Sequence, residues 1–228
     1  MPAAPVRNRG SDQRGPAGDP HIGQAPGALA TVQAFVNTLD IEQGTEDLSS
    51  PAAFDRWLAD AGLTDAPGTG SGTPAGRSGP ARTAARPAPA TSGPADLSLA
   101  LDLREALRDV LRSHVRRADT DAAVRLAEIS AAMQPRLTAA EDGSLQVVAG
   151  TGGSLGAFTR LLLIAAEAET LGTWRRLKVC SADDCQWAFY DRSPTRSGCW
   201  CSMQICGARA KSRAYRSRAA KNASPRAR

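Results

Sequence analysis

All five cysteines of the 228-residue chain lie between Cys180 and Cys206, and no other feature restricts the fold as strongly. They read C-SADD-C, then QWAFYDRSPTRSGCW, then C-SMQI-C, so two pairs each enclose four residues. Secreted disulfide scaffolds spread their cysteines along the chain, and an odd count suits them poorly. Thiols kept reduced bind metal rather than one another. Zinc takes four soft ligands in a tetrahedron, and structural sites are closed by four protein side chains. The spacing therefore nominates Cys180, Cys185, Cys201 and Cys206 as ligands and zinc as the ion. The gaps match no common ferredoxin run, which ranks an iron–sulfur cluster below zinc. Only Trp200 separates Cys199 from Cys201, and such close neighbours fit one tetrahedron awkwardly. Cys199 is read as a spare thiol; the alternative is a redox-sensitive site where it competes for zinc or forms a disulfide. With no open coordination position and no general base in view, the expectation is a protein that is not an enzyme.

Between the pairs, Gln186–Asp191 has strand character, with Trp187 and Phe189 on one face and Ala188 and Tyr190 on the other. The second pair opens a helix that Ser202 can cap. A knuckle, a hairpin and a helix whose first turn carries ligands describe a treble-clef-like finger, and so small an apolar content makes it dependent on metal to fold. Beyond the last cysteine the chain turns basic. Arg209, Lys211, Arg213, Arg216, Arg218, Lys221, Arg226 and Arg228 follow with no acidic residue among them. Against a net charge of +5, an end carrying +8 leaves the remainder at −3. A basic arm on a near-neutral body suits a polyanionic partner. On a helix, Arg209, Arg213 and Arg216 share one face and Lys211 and Arg218 another.

The rest of the chain reads as mainly α. Residues 1–27 are Pro, Gly and charge, and are expected to be disordered. Leu29, Val32, Phe35, Val36 and Leu39 fall at helical spacing over Ala28–Asp40. A second helix has Ser50 as cap, Pro51 at its first position, Gly62 at its end and a Phe54, Trp57, Leu58, Ala61 stripe. From 64 to 96 there is no large apolar side chain, so this segment is expected to be a disordered insertion within one domain. Leu97–Arg117 carries Leu99, Leu103, Leu107, Val110, Leu111 and Val115, with His114 as a partly buried helical residue. A weaker helix over Asp121–Gln134 stops at Pro135. Arg136–Ala149 is expected to be a two-stranded ribbon turning at Asp142-Gly143. GTGGSLG (150–156) lacks the P-loop lysine and the Rossmann spacing, so it reads as a lead-in, with Ser154 capping a core helix over Leu155–Leu171. No apolar run reaches the ~18 residues of a membrane span, and MPAAPVRNRGSDQRG lacks a signal-peptide core. A cytoplasmic protein is expected, and the Ala- and Arg-rich composition suits a high-GC bacterial genome.

The run RLKVCSADDCQWAFYD, then WCSMQICGARAKSRAYRSR, resembles the CGNR zinc-finger family: a Cys pair, an aromatic strand ending in Asp, then W-C-S-M, C-G-N-R and a K-x-R-x-Y-R-x-R tail. Upstream, ALATVQAFVNTLD and AFDRWLADAGL are similar to the opening of the ABATE domain, a type of domain associated with stress-induced transcription regulation. The resemblance implies an ABATE-like helical domain over 28–172, a CGNR-type finger over 173–220 and a disordered basic tail over 221–228. It also implies zinc at Cys180, Cys185, Cys201 and Cys206 and a DNA-binding role. Two departures stand out: Ala208 replaces the Asn of the name motif, and Cys199 stands where relatives usually carry a basic residue.

Together these readings give a DNA-binding transcription regulator that needs zinc. Arg209, Lys211, Arg213, Arg216 and Arg218 are its candidate contacts to double-stranded DNA, and the helical domain is open to a small-molecule or protein effector. The alternative is a protein-interaction module whose finger is purely structural, the basic run being a solvated end or an arm that offsets the zinc–thiolate charge.

Overall fold

A computed structural model describes residues 22–64, 91–116 and 120–223. The expected disorder of 1–21, 65–90 and 224–228 concerns residues outside that set. Within it, three expectations of disorder are overturned, the first being that of the 64–96 insertion, whose Pro94–Asp96 begin a helix. Ile22–Gly23 (β1) forms a strand, and Lys221–Ala223 continues the last helix.

Leu29–Val36 (α1) buries nearly every side chain it has. It stops at Asn37, short of Asp40, because Leu39–Asp40 (β2) turns away to pair with Thr45–Glu46 (β3). Pro51–Asp60 (α2) starts as its sequence prescribes, with the Ser50 hydroxyl accepting the Ala53 N–H at 3.2 Å. Pro94–Ser113 (α3) begins three residues before Leu97. Proline is preorganised for a first helical position, and the Asp96 carboxylate accepts the Gly93 N–H at 2.8 Å, so a helical start needs no apolar residue there. The two sides of the 65–90 excursion pack together: Ser92 N–H donates to Asp55, and Arg160 donates to the Leu63 carbonyl at 2.6 Å.

Thr120–Ser130 (α4) lies against α3, and Pro135–Ala139 (β4) pairs with Leu145–Ala149 (β5) through the Asp142-Gly143 turn. Gly153–Thr170 (α5) is capped by Gly152 rather than Ser154, which sits inside the first turn with its hydroxyl 3.1 Å from that of Ser92. Gly156 has a steric reason to be glycine, since a Cβ there would stand 2.3 Å from the Thr151 carbonyl oxygen. The glycine-rich lead-in thus serves a close approach of backbone to helix. Phe35, Phe54, Phe158, Leu103, Leu107, Leu111 and Leu161 fill the centre, with Phe54 and Phe158 stacked at 5.7 Å between centroids.

A 3₁₀ turn, Trp174–Arg176, leads into Leu177–Val179 (β6), and Ala188–Asp191 (β7) returns antiparallel to it. β1 pairs with the other edge of β7, Ile22 opposite Asp191, giving the order β1-β7-β6. β7 is therefore central and buried on both faces. Ala188 and Tyr190 join Leu177 and Val179 in the helical core, while Trp187 and Phe189 join the cysteines in a second, smaller core. The alternation read along this strand separates two hydrophobic cores. In packing terms the finger is not a bead on a linker, because its hairpin is one wall of the helical body.

Side chains from the helices complete that wall. Asn37 donates to the Ala188 carbonyl at 2.9 Å and accepts the Ala188 N–H at 2.7 Å, acting as one more paired residue on β7. Gln33 donates to the same carbonyl at 3.1 Å and accepts the Ala25 N–H at 2.6 Å. Four arginines recur at four-residue intervals, three along α3 and the fourth, Arg116, just past its end. Arg104 holds Thr38 and Glu46; Arg108, fully buried, donates to the carbonyls of Val36 (2.7 Å) and Gln186 (3.0 Å). Arg112 reaches the Gln186 side chain, and Arg116 the Ser181 carbonyl and Asp183. His114, at the end of α3, sets its Nδ1 2.7 Å from the Leu177 carbonyl and lies edge-on to Trp174. Facing an acceptor, Nδ1 carries the proton. Burial pushes this imidazole below its ordinary value, with the Leu177 bond opposing in part.

Candidate functional site

The knuckle between β6 and β7 is built from main-chain bonds. Cys180 N–H donates to the Trp187 carbonyl at 2.9 Å, and Cys185 and Gln186 N–H both donate to Ala182, each at 3.0 Å. Closing so tight a loop places Gln186 at φ 52°, an uncommon region for a residue with a side chain. The α3 arginines hold that residue by both its carbonyl and its amide group. Cys180 and Cys185 are thereby presented from one loop.

The second pair is delivered by a long connection that one buried ion pair organises. Lys178 and Asp191 lie on the finger face of the sheet with side chains 3% and 1% exposed, 2.7 Å apart. Lys178 also donates to the carbonyls of Arg196 (2.6 Å) and Gly198 (3.0 Å). Asp191 accepts the Ser193 N–H at 2.9 Å and the Gly198 N–H at 2.8 Å. Burial would raise the Asp191 carboxyl, but Lys178 and these N–H groups outweigh it and hold it down at about 2. A Cβ at residue 198 would stand 3.0 Å from that carboxylate, so Gly198 is what lets the loop close. Ser202 then caps a π turn, Met203–Gly207, accepting the Ile205 N–H at 3.2 Å. The wide turn carries Cys206 back toward Cys201.

The four sulfurs of Cys180, Cys185, Cys201 and Cys206 lie within 4.8 Å of one another, and all four residues are buried. Cys185 and Cys201 are 3.6 Å apart, and Cys201 and Cys206 3.7 Å. A tetrahedron with metal–sulfur bonds of about 2.3 Å has edges of about 3.8 Å, so the residues fit a thiolate-bound dication. Hydrogen bonds from Cys185 and Cys201 hold Cys180 as a thiolate at about 2, and that same donation pushes Cys185 up to about 12. Cys201 is pushed up by its bond to Cys180, and Cys206 by burial. Four thiolates at this distance repel, and a central dication is what allows them all to ionise. Cys199 is half buried and lies outside the cluster; its carbonyl accepts the Ser181 N–H at 2.9 Å, tying the two halves of the finger by main chain alone.

Ala208–Ala223 (α6) follows the π turn without a break. Residues from Lys211 to Lys221 are all exposed, and the packing of α6 is confined almost wholly to the turn before it. Two of its cations face back to the body: Arg209 pairs with Glu42 at 2.7 Å and Arg213 with Asp184 at 3.6 Å. Lys211, Arg216 and Arg218 form no ion pair among the described residues. The five candidate contacts thus separate into a paired set and an open set. Ala208, the departure from C-G-N-R, is an exposed residue at the head of α6.

The family model described as "Putative stress-induced transcription regulator", the ABATE domain, matches residues 29–173, and that of the CGNR zinc finger matches residues 176–219. The chain belongs to the ABATE family. A search of curated proteins found no match to it. In this ABATE protein the two matches abut at the 3₁₀ turn before β6, yet the core runs across that junction. Among the described residues, no helix is long and apolar enough to cross a membrane.

Three features of the site escaped the sequence reading. Asn37 had been noted only within a motif, but it pairs with β7. Lys178 and Asp191 form the buried bond that shapes the loop. The arginines of α3 grip carbonyls of Val36 and Gln186, although charged residues opposite an apolar stripe ordinarily face water.

Proposed function

We propose that this protein is a cytoplasmic transcription regulator that binds duplex DNA through α6, with zinc as the ion held by Cys180, Cys185, Cys201 and Cys206. The observation that carries this reading is α6 itself. It is a 16-residue helix, standing off the body, basic along its length and free of acidic residues, with its base fixed two residues after a candidate metal-ligating cysteine. A helix of this width fits the major groove of B-DNA, and Lys and Arg are its usual phosphate and guanine contacts. Zinc suits the site because four sulfurs close a tetrahedron and leave no position for a substrate, which also favours a binding protein over an enzyme. An effector bound to the helical body would act on the finger through the shared sheet.

A second reading has its own support. The α3 arginines and the β1-β7-β6 sheet make the finger part of the body, as a purely structural staple would be. Binding of random and genomic duplexes by zinc-loaded protein across a salt series separates the two. The DNA reading expects log K to fall steeply with log salt, by about 0.9 per phosphate neutralised; a flat or absent dependence leaves the structural staple.

A further inference from the structure

Building on that DNA reading, we propose that α6 presents duplex DNA with one stripe, Lys211, Tyr215 and Arg218, and that Arg209 and Arg213 are positioning residues which aim it. Residues four and three apart stack on one side of a helix, so Lys211, Tyr215 and Arg218 form a continuous line about 10 Å long. Arg209 and Arg213, also four apart, define the opposite side, which Arg216 shares one turn further from the body. They are not equivalent to the stripe, because each is already bound to an acid of the body, Glu42 from the β2–β3 turn and Asp184 from the metal knuckle. Asp183 stands beside Asp184 and is largely exposed. Phosphate approaching that side meets carboxylates within a Debye length of about 8 Å, whereas the stripe offers two cations without ion pairs and a phenol that is 69% exposed. The pairs are half exposed, so each is weak as a source of stability. Their effect is directional: with the base of α6 fixed by Cys206, two contacts on one side choose which side turns outward.

The occupant follows from charge and shape. The stripe complements phosphate, and an exposed helix enters the major groove of B-DNA, while the deep, narrow groove of A-form RNA excludes it. Tyr215 is the only aromatic residue on α6, too few for a single-strand stacking platform.

The test is equilibrium binding of a duplex by zinc-loaded variants over a salt series, reading affinity and salt slope separately. Lys211→Ala with Arg218→Ala should reduce the slope by about 2, at about 0.9 per lost phosphate contact. Tyr215→Phe should weaken binding at unchanged slope, since a phenol releases no counterion. Arg209→Ala and Arg213→Ala should weaken binding and keep the slope. Arg209→Glu should bind poorly, and adding Glu42→Arg, which rebuilds the pair with its charges exchanged, should restore both affinity and slope. A slope lost in the Arg209 and Arg213 variants instead, or an exchanged pair that stays weak, would overturn the assignment while leaving DNA binding in place. Equal affinity for an RNA duplex would overturn the occupant. Zinc-loaded wild type that shows no salt-dependent binding would sink the DNA reading and this assignment together.

Discussion

Lys178 and Asp191 meet almost out of water, and every bond each can make is directed at the loop that carries the second cysteine pair. Removing one partner from such a pair leaves a buried charge uncompensated, at a cost of about 3–5 kcal/mol. Asp191→Asn is therefore expected to lower the unfolding free energy by about that amount, read by urea denaturation of the zinc-loaded protein, and to weaken metal retention against a chelator. The cysteines separate by position. Cys201→Ser should lose stoichiometric zinc, whereas Cys199→Ser, outside the sulfur cluster, should keep one zinc per chain by metal analysis. His114 sets a pH window. Its folded value lies below the ordinary 6.5, so well above that pH neither state binds a proton and stability is flat. As pH falls through 6.5 the unfolded chain gains a proton that the folded one refuses, and stability declines until the folded value is reached. An NMR titration should place the His114 midpoint below the ordinary 6.5, and His114→Phe should flatten the decline between about pH 7 and 6.

At the level of elements, what the sequence made legible and what it hid divide by the range of the interaction. The Ser50-Pro51 start, the Asp142-Gly143 turn and the two-faced pattern of β7 are local, and each appears in the structure where spacing put it. The four cysteines could be paired because ligand spacing is itself local. Asn37 and Ala188 are 151 residues apart, and nothing near either announces the other. β1 has two residues and gains its order only from β7, so its composition could not reveal a strand. The α3 arginines hid for a different reason, because a charged residue on an amphipathic helix ordinarily faces water, and only the tertiary fold supplies the carbonyls of Val36 and Gln186. Asn37→Ala tests the cross-element bond. It leaves the Ala188 N–H buried without an acceptor, at about 1–3 kcal/mol, and should lower the thermal midpoint of both the helical core and the finger in one transition.

For the whole molecule, the family matches suggest a body and an appendage, while the packing gives one structure with two cores divided by β7. Leu177, Val179, Ala188 and Tyr190 would face water in a fragment starting at residue 173, so zinc alone should not fold that fragment. Circular dichroism and tryptophan fluorescence of the zinc-bound piece would show this as a missing sheet. Removing zinc from the intact chain should, by the same logic, loosen the body as well as the finger, visible as faster amide exchange in α1 and α3. The shared sheet also imposes an order on synthesis. Helices α1 to α5 leave the ribosome before β7 exists, so Asn37 emerges without the Ala188 backbone it pairs with, Gln33 and Arg108 each lack one carbonyl partner, and β1 has no strand to join. β1, which precedes every described helix, is therefore among the last described elements to find its partner, and α1 is not complete until the β6–β7 hairpin has been made.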